Sequence, residues 1–375
     1  MRLRRTGSGG GPPDRSGGLP LGSDVAALIA SLLDSSAPVP AALAFPIRAL
    51  CAPERAETDS LVCVGPRTRL SIREAWSVPG IARPALILAE TGVHLPPGGP
   101  PALRVRSIHA ALAALLSAWE VRWEREVPFS SGEGNRIASG AVVEGCLEGG
   151  VEVGPGAHIA SGAFIGRGSR IGANAVIEAH CRIGRDCVIQ PGAVIGCAGF
   201  GFYLAPRTSP ASGPLAAASP LTGPAPVAAL DLSPMPHPAG VLIGDGCFIG
   251  ANTVVAAGVL HPTALGRGCK LDTHVQIAHN VVLGDGCLLA SQSGLAGSTV
   301  AGDRLRLGGA ASVDGHLRLG KDVTVAACSG VTKDLPDGAV VAGFPARPIS
   351  DWRKSALARS GSAGPSRMRP GGPPG

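Results

Sequence analysis

Aromatic side chains are scarce in this sequence: they make up 3% of its 375 residues and include a single tyrosine. Surfaces that bind single-stranded nucleic acid usually combine basic residues with aromatic side chains on which bases stack. The net charge of +6 is modest, and much of it lies in arginine-rich ends of the chain. The composition therefore predicts solvated basic tails and no nucleic-acid partner.

Long apolar runs and secretion signals are also lacking. The longest apolar stretch, around residues 25 to 50, is interrupted by Asp34, Arg48 and prolines, so it does not read as a membrane span. The first residues contain no apolar segment of the kind found in signal peptides. We expect a cytoplasmic protein without stable membrane insertion.

The ten cysteines include no C-x-x-C pair and no spacing typical of a disulfide framework. Several instead fall on a six-residue repeat, at positions where a small buried side chain fits. These are Cys181, Cys187, Cys247, Cys269 and Cys287. The pattern predicts free thiols in a protein core, in a reducing compartment.

What the sequence does contain is glycine, with 55 residues, and an aliphatic residue at every sixth position from residue 153 onward. The period is interrupted between 197 and 240 and slips by four residues at 261 to 264. The aliphatic positions are Val153, Ile159, Ile165, Ile171, Ile177, Ile183, Ile189, Ile195, Ile243, Ile249, Val255, and then Leu265 and every sixth residue to Val331. Such a period is the signature of a repeat architecture.

Strand geometry explains the repeat. A small residue precedes many aliphatic positions by two, as Ala157 precedes Ile159, so both side chains lie on one face of an extended segment. Glycine-rich positions between them permit sharp corners. Three six-residue sides close a triangular coil, and successive coils stack about 4.8 Å apart. The sequence therefore predicts a mainly β fold, a hexapeptide parallel β-helix.

The remaining segments differ in composition. Residues 1–20 read as a disordered tail, and 21–127 as a small α/β domain with helical spacing at 24–33 and 107–124, Ser107 being an N-cap. The β-helix covers 137–335. A Pro/Ala/Ser-rich loop at 203–236 interrupts it and either covers a binding face or is disordered. Residues 336–375 form a C-terminal extension and a disordered tail.

Several motifs carry a family resemblance. The stretches "LGRGCKLDTHVQIAHNVVLGDG", "SQSGLAGSTVAG", "LGGAASVDGHLRLG" and "IGCAGFGF" resemble UDP-3-O-acylglucosamine N-acyltransferases of lipid A biosynthesis. The segment "IRALCAPERAETDSLVCVGPR" is similar to their uridine-binding domain. The resemblance implies a left-handed coil, a homotrimer and a cytoplasmic location.

The same resemblance implies the reaction. Enzymes of this family transfer a 3-hydroxyacyl chain from acyl carrier protein to the 2-amine of a UDP-linked, 3-O-acylated glucosamine. No resident cofactor is expected, because the acyl group arrives on the phosphopantetheine of the carrier protein. The expected partners are therefore acyl carrier protein and a UDP-amino sugar.

The resemblance also points to individual residues. His279 matches the general base, and imidazole titrates near neutral pH as that role requires. Gly297, eighteen residues on and therefore one full coil away, matches the glycine whose backbone N–H stabilises the oxyanion. Asp272 is a candidate to orient the imidazole. His316 and Asn280 are expected to bind substrate.

Departures from the family pattern keep other functions open. Val62, Gly65 and Thr68 stand where the family has an aromatic residue, an asparagine and a tyrosine for uridine. This favours, as alternatives, a hexapeptide N-acyltransferase acting on another amino sugar, or a non-catalytic trimeric scaffold.

His274 has no counterpart in the family and reads most simply as a surface residue. A second interpretation pairs it with His279, and with a histidine two coils earlier, in a zinc site like that of γ-carbonic anhydrases. His237 is the histidine nearest that distance, but the slip at 261 to 264 disturbs its alignment. We therefore predict no metal.

Overall fold

The structure of the chain is a computed structural model. The residues it describes are 2–5, 49–51, 56, 60–65, 84, 86–97, 99–105, 107–122, 132–206 and 230–362. The predicted helix at 24–33 and the residues of the predicted tails at 6–20 and 363–375 lie outside this part. No helix in the described residues is both long and apolar enough to cross a bilayer.

The N-terminal region contains a six-stranded sheet and helix α1 (Ile108–Ala118). In spatial order the strands are Ala102–Val105, Leu86–Glu90, Ser60–Val64, Ala49–Cys51, Arg2–Arg5 and Trp119–Arg122. The first four are parallel, and the last two pair antiparallel. The strand Arg2–Arg5 falls within the predicted N-terminal tail.

Helix α1 begins where the sequence indicates, because the Ser107 hydroxyl accepts a hydrogen bond from the Ala110 N–H at 3.3 Å. It ends earlier than its spacing predicts. Residues 119–122 form a strand, and their order of Trp, Glu, Val and Arg alternates apolar and polar side chains. That period of two suits a strand, so the helical prediction was wrong at 119–122, and residues 123 and 124 lie outside the described part.

From residue 136 onward the chain coils into a parallel β-helix with three sheets, as predicted. Face 1 contains Arg136–Ile137, Glu152–Val153, Arg170–Ile171, Val188–Ile189, Phe248–Ile249, Lys270–Leu271, Leu288–Leu289, Arg306–Leu307, Thr324–Val325, Val340–Ala342 and Arg347–Pro348. Face 2 contains Val142–Val143, His158–Ile159, Val176–Ile177, Val194–Cys197, Val254–Ala256, Gln276–Ile277, Gly294–Leu295, Ser312–Val313 and Gly330–Val331. Face 3 contains Cys146–Leu147, Phe164–Ile165, Arg182–Ile183, Val241–Ile243, Thr263–Leu265, Val282–Leu283, Val300–Ala301 and Arg318–Leu319.

The core of the β-helix is the predicted aliphatic ladder. Ile159, Ile177 and Ile195 pair in register on adjacent strands of face 2, and all three are fully buried. Burial of each such side chain contributes about 1.5–3 kcal/mol. The repeat therefore stabilises each side of the coil through one buried aliphatic side chain, which stacks on the equivalent side chains of the neighbouring coils.

The cysteines on the six-residue repeat are part of this core. Cys181, Cys187, Cys247, Cys269 and Cys287 are free and buried, which confirms the prediction of core thiols. The Cys247 thiol donates to the Gly266 carbonyl at 3.1 Å, and the thiols of neighbouring coils make similar contacts. Their small size suits the position two residues before each aliphatic side chain.

Two segments depart from the regular coil. The insertion between face 2 and face 3 starts and ends with an antiparallel pair of strands, Phe202–Pro206 and Leu230–Pro234, and residues 207–229 lie outside the described part. At the C-terminal end, Arg347–Pro348 pairs antiparallel with Val340–Ala342 and leads into helix α2 (Ile349–Ser362).

Candidate active site

The turns that join face 2 to face 3 form one edge of the β-helix, here called the histidine corner. Among the described residues it comprises 178–180, 196–206, 230–240, 256–262, 278–280, 296–298 and 314–316. It therefore holds His279, Gly297 and His316, and it is also the edge from which the insertion emerges. The coil brings these residues together because Gly297 follows His279 by eighteen residues, which is one full turn. His316 follows His279 by two turns and one residue, and its N–H bonds the Gly297 carbonyl.

Asn280 bonds one edge of the His279 ring, at Nδ1. The Asn280 side-chain N–H donates to the His261 carbonyl at 2.8 Å, and its Oδ1 accepts from the Val259 N–H at 3.2 Å. The amide orientation is thereby set, so Oδ1 can only accept from His279 Nδ1, which lies 3.1 Å away. Nε2 of the neutral ring is consequently the unprotonated nitrogen, as a general base requires.

Gly297 lies directly against the other edge of that ring. A Cβ added at this glycine would lie 2.7 Å from both Nε2 and Cε1 of His279. The Gly297 N–H has no hydrogen-bond acceptor among the described residues, whereas the Gly315 N–H one coil later is bonded to Asp314. The unprotonated nitrogen of His279 thus adjoins a glycine whose backbone N–H is unengaged among the described residues.

Asp272 does not reach this ring. It follows Leu271 at the corner between face 1 and face 2, a full side of the triangular coil away from the histidine corner. Its carboxylate accepts a hydrogen bond from the Thr273 N–H at 2.8 Å. Asn280, and not Asp272, therefore lies beside Nδ1 and can orient the imidazole.

Asn280 and His316 differ in what they offer a substrate. Asn280 is buried, and its backbone N–H also donates to Thr263 Oγ1 at 2.8 Å, so its polar groups are engaged by the protein. This geometry is that of a residue that orients His279. His316 is exposed at a corner with φ of 60°, and its N–H bonds the Gly297 carbonyl at 2.9 Å. Its side chain is accessible beside the glycine.

The insertion supplies His237, which spacing suggested only as a misaligned third ligand of a zinc site. The rings of His237 and His279 meet edge to face, with centroids 5.2 Å apart and planes inclined by 64°. His237 Nδ1 donates to the Met235 carbonyl at 2.7 Å. The six-residue period is interrupted before His237, so only the folded chain reveals this contact.

Burial holds the pKa of His237 below its ordinary value of 6.5, and the nearby His279 lowers it further. As pH falls through about 6.5, the unfolded chain takes up a proton that the folded ring resists, so stability should fall on acidification. We expect His237→Gln to reduce this loss between pH 7.5 and 5.5, measured by urea unfolding. His274→Gln, at an exposed corner, is the control, and equal losses in wild type and His237→Gln would contradict the assignment.

The three-histidine arrangement considered for zinc is not formed by these residues. His274 is exposed at the corner between faces 1 and 2 with φ of 57°, and His237 approaches His279 instead. Among the described residues, no three His, Cys, Asp or Glu side chains gather as metal ligands would.

Comparison with known proteins adds to this geometry. The profile of the bacterial transferase hexapeptide, six repeats, matches residues 162–197, and that of the hexapeptide repeat of succinyl-transferase matches 240–277. UDP-3-O-acylglucosamine N-acyltransferases of Methylobacterium nodulans and Methylorubrum populi are 38% and 37% identical over 118 residues. The coils at 162–197 and 240–277 are thus similar to hexapeptide repeats of transferases, and part of the chain is similar to these two enzymes.

The matched region is limited. It covers 32% of this chain, and the chain spans about a third (34%) of the length of the curated relatives it matches. A UDP-N-acetylglucosamine acyltransferase from Bacteroides fragilis aligns structurally with a TM-score of 0.44 and 22% identity, over 60% of this chain and 78% of that one.

The residues at the uridine-like positions can be located in part. Val62 is fully buried within the strand Ser60–Val64. A Cβ added at Gly65 would lie 2.9 Å from Cγ2 of Ile108, so helix α1 closes over this glycine. Neither position offers a ring or an amide to a base, and Thr68 lies outside the described residues.

Proposed function

We propose that this chain is an N-acyltransferase that moves a 3-hydroxyacyl group from acyl carrier protein to the 2-amine of UDP-3-O-acylglucosamine, with His279 as general base. The observation that carries the proposal is the arrangement at the histidine corner. His279 Nδ1 is committed to Asn280, so Nε2 is the basic nitrogen, and it lies against Gly297, whose N–H has no acceptor among the described residues.

This geometry supports each step of acyl transfer. His279 Nε2 accepts a proton from the amine while the amine nitrogen attacks the thioester carbonyl and the C–N bond forms. The Gly297 N–H donates to the oxyanion of the tetrahedral intermediate. The C–S bond then breaks, and the leaving thiolate takes up the proton held on Nε2. The sum is an amide and a free phosphopantetheine thiol, with no cofactor resident in the protein.

The outer surfaces of the β-helix favour a homotrimer with its sites between copies. Outward positions of face 1 include Arg136, Arg170, Lys270 and Arg306, which are exposed. Apolar residues stand at many outward positions of faces 2 and 3, which flank the histidine corner. These are Val176, Val194 and Val254 on face 2, and Phe164, Leu242, Val282 and Val300 on face 3. Face 3 also carries Arg182 and Arg318 in this outward row, and face 1 carries Val188, Phe248 and Leu288 beside its charged residues. Rows of outward valine and leucine on a sheet are typical of surfaces that another chain covers.

The remaining features follow from the family resemblance. Acyl carrier protein is acidic, and the charged outer row of face 1 would suit such a partner. A cytoplasmic location fits an acyl donor of this kind. We propose both on the resemblance and on the charge of that face.

A second candidate is an N-acyltransferase for an amino sugar that carries no uridine. It is favoured by the burial of Val62 and by the contact of helix α1 with Gly65, because neither residue can stack on or bond to uracil. The base and oxyanion donor at the histidine corner would serve either acceptor.

A transfer assay separates the two candidates. The donor is 3-hydroxyacyl carrier protein, and the acceptors are UDP-3-O-acylglucosamine and the same 3-O-acylated amino sugar without the uridine diphosphate. Transfer that requires the nucleotide supports the first candidate, and equal transfer to both acceptors supports the second. A folded protein that acylates neither acceptor would contradict both and favour a scaffold.

A further inference from the structure

The two ends of the insertion converge above His279 and are held there by backbone hydrogen bonds. The Met235 N–H donates to the Gly201 carbonyl at 2.8 Å, and the Gly201 N–H donates to the Gly199 carbonyl at 3.0 Å. His237 adds its Nδ1 bond to the Met235 carbonyl. The base of the insertion is thus a closed structure attached to the histidine corner.

Gly199 shows how closely this base packs on the two rings. A Cβ added there would lie 2.6 Å from His237 Nε2 and 2.8 Å from His279 Cβ. Both distances are shorter than real Cβ contacts, so only glycine fits without displacing an imidazole. Gly199, His237 and His279 therefore form one packed cluster.

Packing alone does not explain why His237 is a histidine. Its Nε2 is buried and has no hydrogen-bond partner among the described residues. A buried, unpaired acceptor costs about 1–3 kcal/mol, which an apolar ring of similar size would avoid. An apolar ring, however, would lose the Nδ1 bond that holds the ring to Met235.

The orientation of His279 is incompletely fixed by Asn280. That hydrogen bond joins one edge of the imidazole, at Nδ1, and a single bond of 3.1 Å leaves the ring able to tilt about it. Gly297 limits the opposite edge, and His237 packs against the ring from the side of the insertion. Asn280, Gly297 and His237 thus contact the ring on three sides and together restrict its orientation.

We propose that His237 is a positioning residue of this site, whose ring, anchored to the Met235 carbonyl, holds His279 with Nε2 towards Gly297. The expected effect on kcat rests on the proposed function. The contact between the two rings does not depend on it. The attached ends of the insertion thereby help to orient His279, the proposed general base.

The test compares His237→Ala and His237→Phe with wild type, and His274→Ala is the matched control at an exposed corner. We expect His237→Ala to lower kcat for acyl transfer by about 10- to 100-fold, since a displaced catalytic group costs up to about that much. KM should stay within about twofold, because the role proposed for His237 is to hold His279 and not to bind substrate. His237→Phe keeps the ring contact and should recover part of the lost kcat.

A second readout does not depend on activity. Nitrogen-15 NMR of the histidine side chains reports which ring nitrogen carries the proton. In wild type the neutral His279 should be protonated at Nδ1, as its bond to Asn280 requires. In His237→Ala the ring can turn out of its bond to Asn280, which selects this tautomer, so we expect a mixture of the Nδ1 and Nε2 tautomers, while His274→Ala keeps the wild-type spectrum.

The outcomes separate the two proposals. If wild type transfers no acyl group but the tautomer changes in His237→Ala, the proposed function fails and the positioning role stands. A folded His237→Ala variant with wild-type kcat and an unchanged tautomer would overturn the positioning role, whatever the reaction. A change in KM alone would overturn it as well, because it would place His237 against the substrate.

Discussion

His279→Gln is expected to lower kcat for acyl transfer by about 10²- to 10⁴-fold, the contribution typical of a general base. Glutamine keeps a polar side chain of similar length, so the β-helix core is undisturbed, but its amide cannot take up the proton of the attacking amine. The loss should fall on kcat and not on KM, because the substitution removes the proton acceptor and leaves Asn280 and Gly297 in place. Initial rates with carrier-protein donor and sugar acceptor measure it.

The control for this substitution is His274→Gln, because His274 is exposed at the preceding corner of the same coil, between faces 1 and 2. Its rate should stay within about twofold of wild type. A folded His279→Gln variant that retains more than a third of wild-type activity would exclude His279 as the base. The search would then turn to His316, the other predicted histidine on this corner.

Gly297→Ala is the second large effect, with an expected loss of about 10²-fold in kcat, on the order of that seen when an oxyanion donor or its alignment is lost. The added Cβ would lie 2.7 Å from His279 Nε2 and Cε1, so the ring must turn away from its bond to Asn280. Gly297 is not among the glycines with positive φ, and alanine therefore brings no backbone strain of its own. The cost arises at the imidazole.

Gly294→Ala provides the matched comparison on the same coil. A Cβ there would lie 3.6 Å from the Gln276 carbonyl, an ordinary van der Waals distance. We expect this variant to have wild-type activity and stability. Equal activity of Gly294→Ala and Gly297→Ala would show that the space beside Nε2 is not needed by the reaction.

Much of the fold is readable from the sequence, because each aliphatic residue of the repeat has one environment. Ile159 and Ile177 lie in the core at the spacing that predicts them, and Ser107 caps its helix as expected. The strand at 119–122 was missed. Its four residues follow an apolar helix without a turn signal, so the local pattern still predicts helix there. Pairing with the strand Arg2–Arg5, which is distant in the sequence, makes them a strand instead.

The candidate site was predictable only in the part that obeys the period. Gly297 lies one coil from His279, so their contact follows from counting. Asp272 has the right chemistry to orient an imidazole, but the period places it at a different corner. Asn280 adjoins His279 in the chain, yet its role depends on three hydrogen bonds to other parts of the histidine corner.

The sequence by itself determined the coil, the order of its three faces and the column that holds His279 and Gly297, because a strict six-residue period leaves each side chain one direction to point. Only the tertiary structure decided which nitrogen of His279 is basic and which residue packs beside it. His237 precedes His279 by forty-two residues and belongs to an insertion outside the period. Its contact is set by how the ends of that insertion close on the corner, and no local pattern encodes that closure.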